Sequence, residues 1–298
     1  MFTGCGTALV TPFRRDMSLD EEAVRRLARR QIDAGIDFLV PCGTTGESPT
    51  LSHAEQRRVV EIAIDEARGK VPVLAGAGGN DTAHVVELAR EFESLGANGI
   101  LSVSPYYNKP TQEGLYQHFK AIAAAVSLPV ILYNIPGRTG VNIEPATVKR
   151  LAEIDNIVGV KEASGNISQM AVLLDTVPDK FIVLSGDDGI TVPLMSLGGR
   201  GLISVVSNEI PAEMVRLAHL CLANDFAAAR EIHRRYFRLM DVNFIETNPI
   251  PVKAGMALMG LLEPAWRLPL VPPKAENLAK IRGVLEALGL VQQVYATR

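Results

Sequence analysis

The segment Ile157-Val158-Gly159-Val160-Lys161-Glu162-Ala163 decides how this chain is read. The four residues before the lysine are Ile, Val or Gly, and none is charged. Such a run reads as a strand buried on both faces, the kind found in parallel sheets covered by helices. Side chains alternate along a strand, so Lys161 is expected to share a face with Gly159 and Ala163, with Val158 and Val160 on the other. Small neighbours leave room beside the amine. Burial disfavours the charged form, and a neutral amine can attack a ketone or aldehyde to form a Schiff base. A lysine at a strand end can equally snorkel to water. This strand alone does not choose between the two.

Comparable runs recur along the chain, at Cys5–Phe13, Phe38–Cys42, Val71–Ala77, Gly99–Ser104, Val130–Ile135, Val158–Ala163, Phe181–Ser185 and Leu202–Ser207. Between and after them lie segments of helical periodicity, at Asp20–Ala34, His53–Arg68, Thr82–Leu95, Glu113–Val126, Pro145–Glu153, Ile167–Thr176, Thr191–Leu197 and Ala212–Ala223. Ser18 with Glu21, and Ser52 with Glu55, match the capping-box spacing that opens a helix. Strands alternating with helices predict an α/β fold with a parallel sheet, and eight such units predict a (β/α)8 TIM barrel. An open doubly wound sheet is the alternative. No G-x-G-x-x-G follows the first run, which argues against its dinucleotide-binding form. After about Asn224 the strand pattern stops. Helices are expected at Asp225–Met240, Pro251–Met259 and Ala275–Leu288, so the chain divides into a catalytic barrel over 1–223 and a C-terminal helical extension over 224–298.

Composition narrows the function classes. Across 298 residues the hydrophobic share is 47%, the charged share 21% and the formal net charge -3. That balance is globular and offers no basic footprint for nucleic acid or for a membrane surface. Three widely separated cysteines, Cys5, Cys42 and Cys221, argue against a disulfide framework and for a reducing compartment. Met1–Phe13 reads as a strand and not as a signal peptide, and the apolar stretch Ala121–Ile135 is broken by Ser127 and Pro129 and is short for a bilayer span. A cytoplasmic protein is expected.

In a barrel of this kind the site lies at the carboxyl ends of the strands. The second run ends in Gly43-Thr44-Thr45-Gly46-Glu47, where turn amides and two hydroxyls can hold a carboxylate. The fourth ends in Ser104-Pro105-Tyr106-Tyr107 and the fifth in Tyr133-Asn134-Ile135-Pro136-Gly137-Arg138-Thr139. A tyrosine at a strand end can pass protons, and an arginine can grip a carboxylate with two parallel hydrogen bonds. Each could also be an ordinary core cap or surface charge. Asp187 and Asp188, after the seventh run, could hold Mg²⁺ but read better as helix caps. The five histidines show no metal-ligand spacing, so no metal is expected.

Taken together, the motifs identify a resemblance. The pieces are GTTGE at 43–47, Tyr106-Tyr107, YNIPGRT at 133–139, VKEAS at 160–164, GDD at 186–188, GLISVVSN at 201–208 and NPIPVK at 248–253. In this order they resemble the dihydrodipicolinate synthase / N-acetylneuraminate lyase family of class I aldolase barrels, over essentially the whole chain. The resemblance implies that Lys161 forms an imine with pyruvate and that no cofactor is needed. It implies a proton relay of Tyr133, Thr44 and Tyr107, with Tyr107 reaching in from a neighbouring subunit. Thr44 and Thr45 would hold the pyruvate carboxylate and Arg138 the carboxylate of the second substrate. The carbonyl of Ile203, together with Gly186, would line the site. The implied reaction condenses pyruvate with L-aspartate 4-semialdehyde to 4-hydroxy-tetrahydrodipicolinate, on the route to lysine and diaminopimelate.

Within the family the alternative is a sugar-acid lyase acting on N-acetylneuraminate or a 2-keto-3-deoxy sugar acid. Arg138 and Tyr107 favour the shorter, carboxylated aldehyde. A barrel that keeps the lysine only to bind ligands, and a pyridoxal phosphate enzyme, are the readings outside it. Family members inhibited by lysine bind it at a subunit interface. Here His53, Asn80 and Tyr106 stand at matching positions, while Gln56 replaces the usual His and His84 the usual Glu. The lost carboxylate removes a partner for the ligand's ammonium group, so weak or absent inhibition by lysine is expected. The relay in trans implies at least a dimer, and the resemblance implies a homotetramer built as a dimer of dimers.

Overall fold

The computed structural model of the chain describes residues 1–292, so residues 293–298 of the expected extension lie outside the described residues. Eight strands form one parallel sheet: β1 (Gly4–Ala8), β2 (Phe38–Val40), β3 (Leu74–Gly76), β4 (Gly99–Val103), β5 (Val130–Asn134), β6 (Ile157–Glu162), β7 (Ile182–Ser185) and β8 (Gly201–Ser204). Their order is β2-β1-β8-β7-β6-β5-β4-β3. A parallel bridge between Leu39 and Val73 joins β2 to β3 and closes the ring. This is the expected (β/α)8 barrel.

The helices that cover it are α1 (Glu21–Asp33), α2 (His53–Ala67), α3 (Thr82–Leu95), α4 (Gln112–Ala125), α5 (Pro136–Thr139), α6 (Pro145–Leu151), α7 (Ile167–Thr176), α8 (Thr191–Ser196) and α9 (Pro211–Leu222). After them come α10 (Phe226–Val242), α11 (Ile250–Leu258) and α12 (Ala275–Ala287). Ser52 and Glu55 form the expected capping box on α2. At α1 the cap is Asp20, whose carboxylate accepts from the Ala23 amide. Ser18 instead donates to Asp16, two residues back. A carboxylate and a hydroxyl compete there for one role, and the carboxylate lies closer to the first turn.

Apolar side chains separate into two environments. Ala8, Phe38, Val40, Leu74, Leu101, Ile131, Tyr133, Leu184 and Ile203 form one cluster of buried residues that fills the barrel. Val130, Leu132, Val160 and Val183 belong to a second cluster, shared with the covering helices. Space inside is short: a Cβ on Gly6 would come within 2.5 Å of three Phe38 ring atoms. Two expectations about the strands are corrected. β1 stops at Ala8: the Leu9 amide makes a last bond to the Val40 carbonyl of β2, and the Leu9 and Val10 side chains pack with Val205, Val252 and Met256. β6 carries a register shift beside Val130–Ile131, where Ile157 and Gly159 face successive residues of β5. The extra residue, Val158, packs with the interior cluster while Val160 packs outside, so the two do not share a face.

Candidate active site

The register of β5 and β6 sets Tyr133 directly beside Lys161. The lysine is only 5% exposed, and its Nζ lies 4.1 Å from the centre of the Tyr133 ring. β7 flanks the lysine on the other side, through Leu184. A Cβ on Gly186 would sit 2.7 Å from Ala163 Cβ and 3.1 Å from Lys161 Cε, so the missing side chain is what makes room for the amine.

A cavity of about 500 Å³ opens at this end of the barrel, with Thr44, Tyr133, Ile135 and Arg138 in its wall; Lys161, Thr45, Gly186 and Ile203 are not part of that lining, and Tyr133 is what joins the cavity to the lysine. Thr44 belongs to a turn closed by the Gly46 amide on the Gly43 carbonyl and the Glu47 amide on the Thr44 carbonyl, each 3.1 Å. Thr45 is buried, and its hydroxyl oxygen accepts from Asn248 Nδ2 at 2.9 Å. That leaves the Thr45 O–H free to donate to a ligand. Arg138, in the short helix α5 that the periodicity did not predict, donates from Nη2 to the Asn248 carbonyl at 3.1 Å. Arg138 also borders a second, open depression with Phe244, Glu246 and Thr247. Ile203 is buried in the barrel interior. Tyr107 is 89% exposed with φ 72°, and is not among the residues lining the cavity of its own chain.

The cavity continues outward past Gln56, Asn80, His84 and Tyr106. His53 is not part of that lining, and its imidazole pairs with Glu91. Gln56 is already engaged, donating to the Ser48 carbonyl at 2.9 Å.

The two aspartates after β7 are both committed within the chain. Asp187 caps the turn that follows, accepting from the Gly189 amide at 2.8 Å. Asp188 is buried and accepts from Ser204 Oγ and from the amides of Val205 and Val206. Burial pushes its carboxyl up to about 6, and these hydrogen bonds act in the opposite sense. Among the described residues no three His, Cys, Asp or Glu side chains converge as a metal site.

Comparison with known proteins now bears on this geometry. The model of the dihydrodipicolinate synthetase family matches residues 1–288. The chain belongs to the dihydrodipicolinate synthetase family. A relative in Chloroherpeton thalassium, a 4-hydroxy-tetrahydrodipicolinate synthase, is 54% identical over 97% of this chain and 96% of its own. One of the same name in Koribacter versatilis is 53% identical, covering 97% of both chains. The crystal structure of dihydrodipicolinate synthase from Aquifex aeolicus superposes with a TM-score of 0.96 at 45% identity, over 98% of this chain and all of that one.

Two residues of this family member that sequence reasoning left without a role come from beyond the barrel. Asn248 touches both Thr45 and Arg138. Lys253 forms a fully buried ion pair with Glu47, the last residue of the Gly43–Glu47 turn. Burial pushes the Glu47 carboxyl up and the Lys253 amine down, while each opposes the other's shift as a counter-charge. Both residues lie in the 248–253 motif, and a lone charge in that apolar segment was the available signal.

Proposed function

We propose that this enzyme condenses pyruvate with L-aspartate 4-semialdehyde, the 4-hydroxy-tetrahydrodipicolinate synthase reaction, through an imine on Lys161. The observation that carries the reading is the buried lysine set against Tyr133, which also lines the cavity, with the gap left by Gly186 beside the lysine stem. The Lys161 amine attacks C2 of pyruvate and the ketone oxygen leaves as water. The imine withdraws electrons, so a methyl proton departs and an enamine forms. The enamine carbon attacks the aldehyde carbon, a carbon–carbon bond forms, and the new alkoxide takes up a proton. The amine of the second substrate then adds to the imine carbon and expels Lys161, which regenerates the enzyme. No cofactor takes part.

The remaining roles follow from chemistry and position. Tyr133 and Thr44 move protons between the lysine and solvent, with Tyr107 of a neighbouring subunit completing the chain. Its exposure supports that assignment. Thr44 and Thr45 hold the pyruvate carboxylate, Arg138 holds that of the semialdehyde, and the family resemblance assigns Gly186 and the Ile203 carbonyl to the wall beside the imine. A relay completed in trans requires at least a dimer, and a tetramer of two dimers is the proposed assembly. Three unpaired buried cysteines support a cytoplasmic setting.

The test is reduction with borohydride in the presence of pyruvate. Lys161 should gain the mass of the reduced adduct, and the Lys161→Ala variant should gain nothing. An unlabelled wild-type lysine under turnover conditions refutes the imine. Turnover of a sugar acid in preference to the semialdehyde would refute the choice of second substrate.

A further inference from the structure

The Gly43–Glu47 turn and the start of α11 meet at two points. One is the Asn248–Thr45 hydrogen bond, and the other is the Lys253–Glu47 ion pair, in which neither side chain has any exposed surface. Glu47 holds a left-handed backbone, φ 54° and ψ 35°. A non-glycine residue stays in that region only where its surroundings hold it. Lys253 is itself well anchored. Its Nζ lies 4.4 Å from the Phe13 ring centre, and Val252 and Met256 pack onto Leu9, Val10 and Val205.

Stability alone is a poor account of such a pair. The cost of removing two charges from water cancels most of their attraction, and an apolar replacement of both is often neutral or better. What the charges add is direction. A charge-assisted bond fixes where the Glu47 carboxylate sits, and so fixes the corner that ends the turn.

We infer that Lys253 is a positioning residue for the reaction: by pairing with Glu47 it holds the left-handed corner that aims the Thr44 and Thr45 hydroxyls at the carboxylate of the first substrate. This rests on the reading that those threonines hold pyruvate. α11 thereby belongs to the working parts of the enzyme, although it touches no substrate.

The experiment compares wild type with the double variant Glu47→Gln/Lys253→Met and the single variant Glu47→Gln. The double variant leaves no buried charge unpaired, and the single one keeps an acceptor for the lysine should the double variant not fold. Thermal unfolding, pyruvate KM, kcat and borohydride trapping are measured on each. The double variant should melt within a few degrees of wild type, with pyruvate KM raised about tenfold and kcat within about threefold, because Lys161 and Tyr133 are untouched. In Glu47→Gln pyruvate KM should rise at least threefold. A pyruvate KM within twofold of wild type in either folded variant overturns the proposal, since a purely structural pair would move the melting temperature and leave KM alone. Failure of the underlying reading looks different: wild type itself would then trap no pyruvate.

Discussion

Substituting Gly186 by alanine isolates the space around Lys161. The glycine has no left-handed backbone, so alanine adds one methyl group and no backbone strain of that kind. That methyl would lie 2.7 Å from Ala163 Cβ, 3.1 Å from Lys161 Cε and 3.2 Å from Lys161 Cγ. Carbon atoms settle at ~3.5–4.0 Å. The Ala163 contact is a Cβ, which cannot rotate away, so relief requires the two strand ends to part by about 1 Å or the lysine stem to swing aside. Overpacking of this kind costs about 1–3 kcal/mol, and a displacement near 1 Å of a reacting group costs about 10²-fold in rate. Gly186→Ala should therefore melt several degrees lower, lose about two orders of magnitude in kcat, and trap pyruvate more slowly under borohydride. Gly283→Ala is the control: among the described residues no atom outside its own helix backbone stands within 4 Å of the added methyl, and it lies in the interior of α12. There alanine should stabilise by about 0.5–1 kcal/mol with no change in turnover. Wild-type kcat and trapping in Gly186→Ala would refute the claim that this gap positions the amine.

Three further outcomes test other parts of the site and fold. Arg138→Ala should raise the KM for the semialdehyde roughly tenfold, the worth of a hydrogen bond to a charged group, and should leave pyruvate trapping intact. Unchanged aldehyde KM would remove Arg138 from its role. The buried Glu209 carboxyl is pushed up to about 8 by desolvation and accepts from Asn243. With a usual value of 4.5, the folded state holds one proton more than the unfolded state between those two pH values, so stability falls as pH rises through that window, by up to about 1.4 kcal/mol per pH unit. Glu209→Gln should flatten that slope in urea unfolding between about pH 5.5 and 7.5, and parallel slopes would count against a protonated Glu209. Added L-lysine should inhibit weakly or not at all, because Gln56 and His84 line this part of the cavity and Asp81, the carboxylate that shares its lining, is engaged by the Ala83 amide at the start of α3. Strong inhibition at sub-millimolar lysine would show that the ammonium group finds another partner.

What could be read in advance depended on how local the cause was. Strand and helix alternation is a local record of burial, and the barrel followed from it. The inward direction of Lys161 survived the bulge in β6 because the register shift lies before Gly159, leaving the Lys161–Ala163 count intact. The same record misled at Leu9–Phe13: after one last bond from Leu9 to β2, Leu9 and Val10 are buried against α11 and the Phe13 ring against Lys253 and Arg267, so the apolar run outlasts the strand. The Lys253–Glu47 pair spans 206 residues, and no spacing rule reaches that far. Each partner alone looks like an ordinary charge.

Lys253 nevertheless shares a feature with Lys161. It is the only charged residue in Ile250–Leu258, and all of residues 250–256 are buried. A buried lysine in a mainly apolar segment has to be explained by something outside that segment; β6 also carries Glu162, but its carboxylate is taken up by Asn134 and the Ser164 amide. For Lys161 that something is a proposed bound keto acid; for Lys253 it is a carboxylate supplied by the turn after β2. The segment can therefore reveal that a partner exists, while only the closed barrel decides whether that partner is a ligand or another part of the chain.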